Sequence, residues 1–157
     1  MFIRKANPFD INQILTISRA CELGTWNESE LETEFSRIDA LVLAATNEGE
    51  DSILGFISGR FTALEDNTEE LAKYSEADVI NLGVLETHRK LGIGSALLKK
   101  FISQAKEGEV KTIWLEVREL NLNARKFYEQ NGFRKMQTRK NFYTNPVDNA
   151  IVMKFDV

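Results

Sequence analysis

Apolar and polar residues alternate along this chain in two rhythms, one of period two and one near 3.6, and their succession predicts strands and helices in a definite order. Phe2 to Ala6 reads as a short first strand. Asn7-Pro8-Phe9-Asp10 opens a helix, with Asn7 as cap and Pro8 in the first turn, where its missing N–H costs nothing. Ile11, Ile14 and Leu15 stripe that helix. A second helix opens at Asn27, where Glu30 completes a capping box, and is expected to bury Leu31, Phe35 and Ile38. Leu41 to Thr46 and Ile53 to Phe61 form a hairpin around the turn from Asn47 to Asp51. A polar, acidic connection runs from Leu64 to Ala77, followed by a strand from Val79 to Leu85. Ile93, Leu97, Leu98, Phe101, Ile102 and Ala105 mark one face of a long amphipathic helix. Thr112 to Val117 is a strand, and Leu120, Ala124, Phe127 and Tyr128 define a further helix stopped by Asn131-Gly132. Phe133 to Arg139 and Ala150 to Phe155 close the chain as strands.

The order is β-α-α-β-β-β-α-β-α-β-β. The strands on either side of the long helix are joined by a helical crossover, so they are expected to run parallel, with the others mainly antiparallel. The fold class is therefore α/β in the mixed sense: a mostly antiparallel sheet with a central parallel pair and flanking helices. Trp114 and the phenylalanines read most simply as core.

Composition narrows the function. With 157 residues, 43% of them hydrophobic, the chain suits one domain over residues 1–157 with a sizeable core. No apolar run approaches the roughly 20 residues that cross a bilayer, and the opening Met1 to Ala6 lacks the apolar stretch of a secretory signal. The expectation is a cytoplasmic protein without membrane partners. Cys21 and His88 are the lone residues of their kinds, so neither an internal disulfide nor a resident metal is expected. The net charge of -4 argues against nucleic acid. Glu22 to Asp51 is nearly all acidic among its ionisable residues, and Arg118 to Lys140 mainly basic; two ligands of opposite sign could use that split, or both could be solvated faces. No pattern sets an oligomeric state.

Asn81 to Leu98 carries the most chemistry: strand, polar turn, Gly92 and Gly94, then helix. Amides at a helix start, with the helix dipole, make an anion site; glycines let a ligand approach the backbone, and Arg89 and Lys90 add positive charge. A diphosphate suits such a site. A dinucleotide fingerprint would need glycine at position 97, which is Leu97, and a Walker loop would need a lysine and hydroxyl pair that is absent.

Glu116 interrupts a strand expected to be apolar on both faces, where an unpartnered carboxylate is costly, so it is a candidate general base. A glutamate at the strand's exposed end, paired with Arg118 or Lys111, is the alternative. Tyr128 is a candidate general acid, or else a core aromatic. Asn121 is a helix cap within reach of a ligand. His88 reads as a solvated turn residue, and Cys21 lies on the first helix, away from any role as nucleophile.

From Asn81 onward these features resemble the GNAT acetyltransferases, and more closely their ribosomal-protein alanine N-acetyltransferase branch. The resemblance rests on Leu82-Gly83-Val84, the Arg89-x-x-Gly92-x-Gly94 loop, Leu115 to Arg118, Asn121, Ala124, Phe127-Tyr128-Glu129 and Gly132-Phe133. Arg139 to Tyr143, Asp148 to Met153 and Trp26-Asn27 extend it over nearly the whole chain.

It implies acetyl-CoA as co-substrate. Leu82, Gly83 and Val84 would pair with the pantetheine arm. Arg89, Lys90, Leu91, Gly92, Ile93, Gly94 and Ser95 would hold the diphosphate, and Asn121 would touch the cofactor. Glu116 would be the base and Tyr128 the acid. The implied acceptor is a protein N-terminus, such as that of a ribosomal protein; alternatives are a small amine such as a polyamine or antibiotic, or a non-catalytic acetyl-CoA-binding module. Thr25 before Trp26, the acidic connection and the segment from Tyr143 to Val147 depart from the branch.

Overall fold

The computed structural model describes residues 1–24, 26–47, 52–63 and 74–157. Seven strands form one sheet: β1 (Phe2–Lys5), β2 (Ala40–Thr46), β3 (Ile53–Ala63), β4 (Tyr74–Val84), β5 (Thr112–Arg118), β6 (Arg134–Thr144) and β7 (Val147–Asp156). Four helices accompany them: α1 (Ile11–Ala20), α2 (Glu28–Ser36), α3 (Ile93–Glu107) and α4 (Leu122–Gln130). The element order is the one the sequence pattern predicts. Strands lie in the order β1-β2-β3-β4-β5-β7-β6, antiparallel throughout except for β4 beside β5.

Local chemistry sets the helix starts. Asn7 accepts from the Phe9 amide, and Asp10 returns a bond to the Asn7 amide, closing a capping box ahead of α1. Asn27 and Glu30 do the same for α2 at 2.9 and 2.8 Å.

Each face of the sheet carries a core. On one, α3 lays Leu97, Leu98 and Phe101 against Leu43, Ile57, Val79, Ile113 and Leu115, and α4 adds Tyr128. On the other, α1 and α2 press Ile14, Ile17 and Leu31 onto Val42, Ala44 and Phe56. This second layer covers the half of the sheet from β1 to β3 and the end of β4. Beyond it no element of the described residues covers the sheet face.

That uneven cover corrects several expectations. Ile113, Leu115 and Val117 of β5 are buried, but Thr112, Trp114, Glu116 and Arg118 stand on the open face. Trp114 is therefore no core residue; Lys154 lies over its ring, 5.6 Å from the centroid. Phe9 and Ile38 are almost wholly exposed. In place of Ile38, α2 turns Glu34 inward, where it receives the Arg60 guanidinium at 2.5 Å. Leu120 precedes α4 and faces solvent. Tyr74 to Ala77, expected in a connection, belong to β4. Residues 64–73 of that connection, residues 48–51 of the hairpin turn and Thr25 lie outside the described residues.

Candidate active site

β4 and β5 pair only from Glu76 opposite Thr112 to Val79 opposite Leu115, and then part. A bulge in the β3–β4 ladder explains the parting: Ser58 faces Asn81 and Gly59 faces Val79, so Ile80 is an extra residue that bends β4 away. Among the described residues no strand lies beside the edge of β4 beyond the bulge. The Leu85 amide donates to Leu54 on the β3 side at 2.9 Å, so alternation turns the N–H groups of Leu82 and Val84 into the gap. Gly83 faces the opposite way. A Cβ there would meet Leu23 at 2.9 Å and Ile17 at 3.1 Å, so this glycine lets α1 pack tightly on β4.

The gap leads to the start of α3. A one-turn 3-10 segment, Glu86–His88, and two left-handed residues, Lys90 (φ 62°) and Gly92 (φ 82°), turn the chain into the helix. Among the described residues no side chain caps α3, and none accepts from its first amides at its mouth. The helix end borders a cleft of about 2060 Å³, lined there by Arg89, Lys90, Gly92, Ile93, Gly94, Ser95, Asn121 and Phe127. Leu91 points to solvent. The Arg89 guanidinium folds back onto the strand, its Nε donating to the Val84 carbonyl at 3.1 Å.

Cys21 stands at the same place. It caps the end of α1 and borders the cleft, where its Sγ donates to the Val84 carbonyl at 3.4 Å and accepts from Arg89. It is thus not remote from the site, and both of its contacts hold the cleft wall together. His88 also borders the cleft, bonded to Thr87 at 2.9 Å.

Glu116 lies one residue past the last β4–β5 pair, on the open face. It is neither deeply buried nor unpartnered: the Arg139 guanidinium pairs with it, and its expected partners Arg118 and Lys111 do not. Arg139 comes from β6 and also stacks on Phe142 at 4.5 Å. Arg118 instead donates to the carbonyls of Pro146 and Asn145, at 2.9 and 3.0 Å, and lies 4.1 Å over the Tyr143 ring. Partial burial, aided by the charge of Glu116, raises the Tyr143 phenol above its usual range.

Tyr128 sits on the inner face of α4, nine-tenths buried, in edge contact with Phe127 and Phe133. It lines the cleft, and among the described residues its hydroxyl has no hydrogen-bond partner. Burial pushes that phenol well above the ordinary tyrosine value. Asn121 caps α4 by accepting from the Ala124 amide at 3.0 Å.

The cleft thus gathers residues that sequence reasoning marked, Glu116, Tyr128, Asn121, Val84 and the glycine loop, with others to which it gave no role at the site. Arg139 and Tyr143 are brought in by the β6–β7 hairpin, a placement that strand pairing alone decides. Asp78, between buried Ala77 and Val79, carries the same signal as Glu116, a carboxylate interrupting a central strand.

A family model described as "Acetyltransferase (GNAT) family" matches residues 11–133. The chain is 30% identical over 147 residues to a protein of Haemophilus ducreyi named [Ribosomal protein bS18]-alanine N-acetyltransferase, covering 92% of each. A protein of the same name from Haemophilus influenzae is 47% identical over 81 residues, half of this chain and 55% of that protein. Among solved structures, the ribosomal-protein-S18-alanine N-acetyltransferase of Escherichia coli superposes with a TM-score of 0.81 at 25% identity, over 99% of this chain and 93% of that one. Arabidopsis thaliana NAA60 in complex with acetyl-CoA shares the fold, with a TM-score of 0.84 at 18% identity over 99% and 98% of the two chains.

Proposed function

The chain belongs to the GNAT acetyltransferase family, as an N-acetyltransferase with acetyl-CoA as co-substrate, and from that premise we propose that it acetylates the amino terminus of a protein. The observation that carries this reading is the placement of Glu116 on an open sheet face at the point where β4 and β5 part. The relatives' acceptor, the alanine of ribosomal protein bS18, is the acceptor we propose first. Such an acceptor is made in the cytoplasm, and we place the chain there.

The residues present fit the co-substrate. The uncapped mouth of α3, with Gly92 in the left-handed region, offers amides and positive dipole to a diphosphate; Lys90 adds charge, and the unpaired edge of Leu82 and Val84 offers strand-like bonds to an amide-bearing arm. When bound, acetyl-CoA supplies the acetyl thioester. The Val84 N–H is the donor we assign to the thioester carbonyl.

An α-amine titrates near 7.7–8.0, so roughly a tenth is already neutral at pH 7, whereas a lysine near 10.4 is almost wholly protonated. Glu116 takes the amine's proton, directly or through a water. The Tyr128 hydroxyl, on a side chain that lines the cleft, is the proton donor we assign to the departing thiolate. Direct transfer needs no cysteine nucleophile.

The test is a panel of peptides differing in their first residues, run beside free lysine and spermidine with acetyl-CoA and scored by coenzyme A release. Turnover of peptides with small first residues supports the reading; turnover of spermidine alone would replace it with a small-amine acetyltransferase.

A further inference from the structure

Asp78 lies on the open sheet face one residue before the last β4–β5 pair, and Glu116 one residue beyond it. The two carboxylates therefore flank the apex where the strands part. Both line the cleft, and the unpartnered hydroxyl of Tyr128 opens on the same space. Glu76 stands two residues back on the same face of β4.

The cations nearby are committed elsewhere. Arg60 is the direct cross-strand neighbour of Asp78 on β3, but its guanidinium is held by both oxygens of Glu34, at 2.5 and 3.0 Å. Arg139 is paired with Glu116. Lys154, beyond Trp114, pairs with Asp156 at 2.9 Å. Asp78 and Glu76 have neither an ion pair nor a hydrogen bond from any described residue. The Asp78 carboxyl is raised, first by desolvation and then by the charges of Glu76 and Glu116, so among the described residues the place is short of positive charge. Among the described residues no three His, Cys, Asp or Glu side chains are arranged to hold a metal ion; a pair of carboxylates beside the acceptor's path suits an organic cation.

We propose that Asp78 is a specificity-determining residue that receives the protonated amine of the acceptor beside Glu116, selecting cationic amines over neutral nucleophiles. The proposal rests on the acyl-transfer reading above and adds the group that recognises the acceptor before its proton is removed. Because an ammonium is a hydrogen-bond donor with a full charge, each bond it makes to a carboxylate is charge-assisted and strong.

The experiment compares wild type with Asp78→Asn and Asp78→Glu, on peptides and on spermidine, with acetyl-CoA affinity measured by calorimetry. Asp78→Asn is expected to raise KM for the amine about tenfold or more, leaving acetyl-CoA affinity and the melting temperature in place; Asp78→Glu should recover part of the loss. An unchanged KM, or a fall in kcat alone, would overturn the assignment while leaving the enzyme reading intact. If wild type acetylates spermidine and not peptides, a raised KM for spermidine in Asp78→Asn still supports Asp78, and the N-terminal reading falls alone. A wild type that binds acetyl-CoA yet acetylates none of these amines would sink both.

Discussion

Arg139 on β6 reaches across β7 to pair with Glu116 on β5. Between Arg139 and Tyr143 the β6–β7 register slips, three residues facing one, and Asn141 takes a left-handed turn (φ 49°) anchored by its amide to Asn149 at 2.9 Å. That bulge places Arg139 beside the carboxylate and Tyr143 under Arg118. The pair holds one oxygen of Glu116 and leaves the carboxylate beside the apex of the cleft.

Glu116→Gln keeps the size of the side chain and an acceptor for Arg139, but cannot take a proton. Turnover should fall roughly 10²–10⁴-fold, the usual worth of a positioned base. Acetyl-CoA affinity by calorimetry should stay nearly unchanged, because the ion pair of Glu116 is with Arg139 of β6 and not with the α3 mouth. Wild-type kinetics in this variant would remove Glu116 from the mechanism.

Tyr128→Phe separates chemistry from packing. Among the described residues the hydroxyl has no partner to lose, so folding stability should change by no more than about 0.5 kcal/mol. The chemical step, read in single-turnover experiments, should slow by about 10²-fold. A large drop in melting temperature with normal turnover would mark Tyr128 as a packing residue only.

Helix caps, the parallel pair and the glycine loop were legible because each is local: Asn7, Asn27 and Gly92 act on their own turn, and a crossover helix dictates parallel strands. The neighbours of Glu116 were not. Placing β7 between β5 and β6, and Arg139 against Glu116, depends on pairing between strands far apart in sequence, which alternation cannot rank. Glu34 defeated helical periodicity for a similar reason: a buried carboxylate is tolerable only through Arg60, 26 residues away. Trp114 was misread because a central strand is covered on both faces only if helices reach that far, and α1 and α2 stop short.

At the mouth of α3, Gly94 gives a clean test of ligand approach. A Cβ there would touch Phe127 at an ordinary 3.5 Å, so the fold itself accepts a side chain. Gly94→Trp should therefore leave the protein folded but fill the space before the first amides. Calorimetry should detect no acetyl-CoA binding. Retained affinity in a folded Gly94→Trp would move the diphosphate away from this helix.

Asp10 offers a pH test far from the cleft. It is buried and accepts two bonds from Arg4, at 2.6 and 2.8 Å, and one from the Asn7 amide at 2.8 Å. Burial works to raise its carboxyl, but the hydrogen bonds and charge of Arg4, with the Asn7 amide, outweigh it and hold the group below its usual value. A depressed carboxyl contributes stability that is fully present above the unfolded value of about 3.9 and is lost as pH falls through the folded one. Asp10→Asn keeps an acceptor for the Asn7 amide and loses the charge, so near pH 7 it should cost about 1–3 kcal/mol, part of the ion pair being screened because Arg4 is partly exposed. In urea titrations the gap between the two proteins should stay constant from pH 7 to about 5 and narrow below about 4. A gap that persists unchanged into strong acid would mean that packing at Asp10, and not its ionisation, sets the difference.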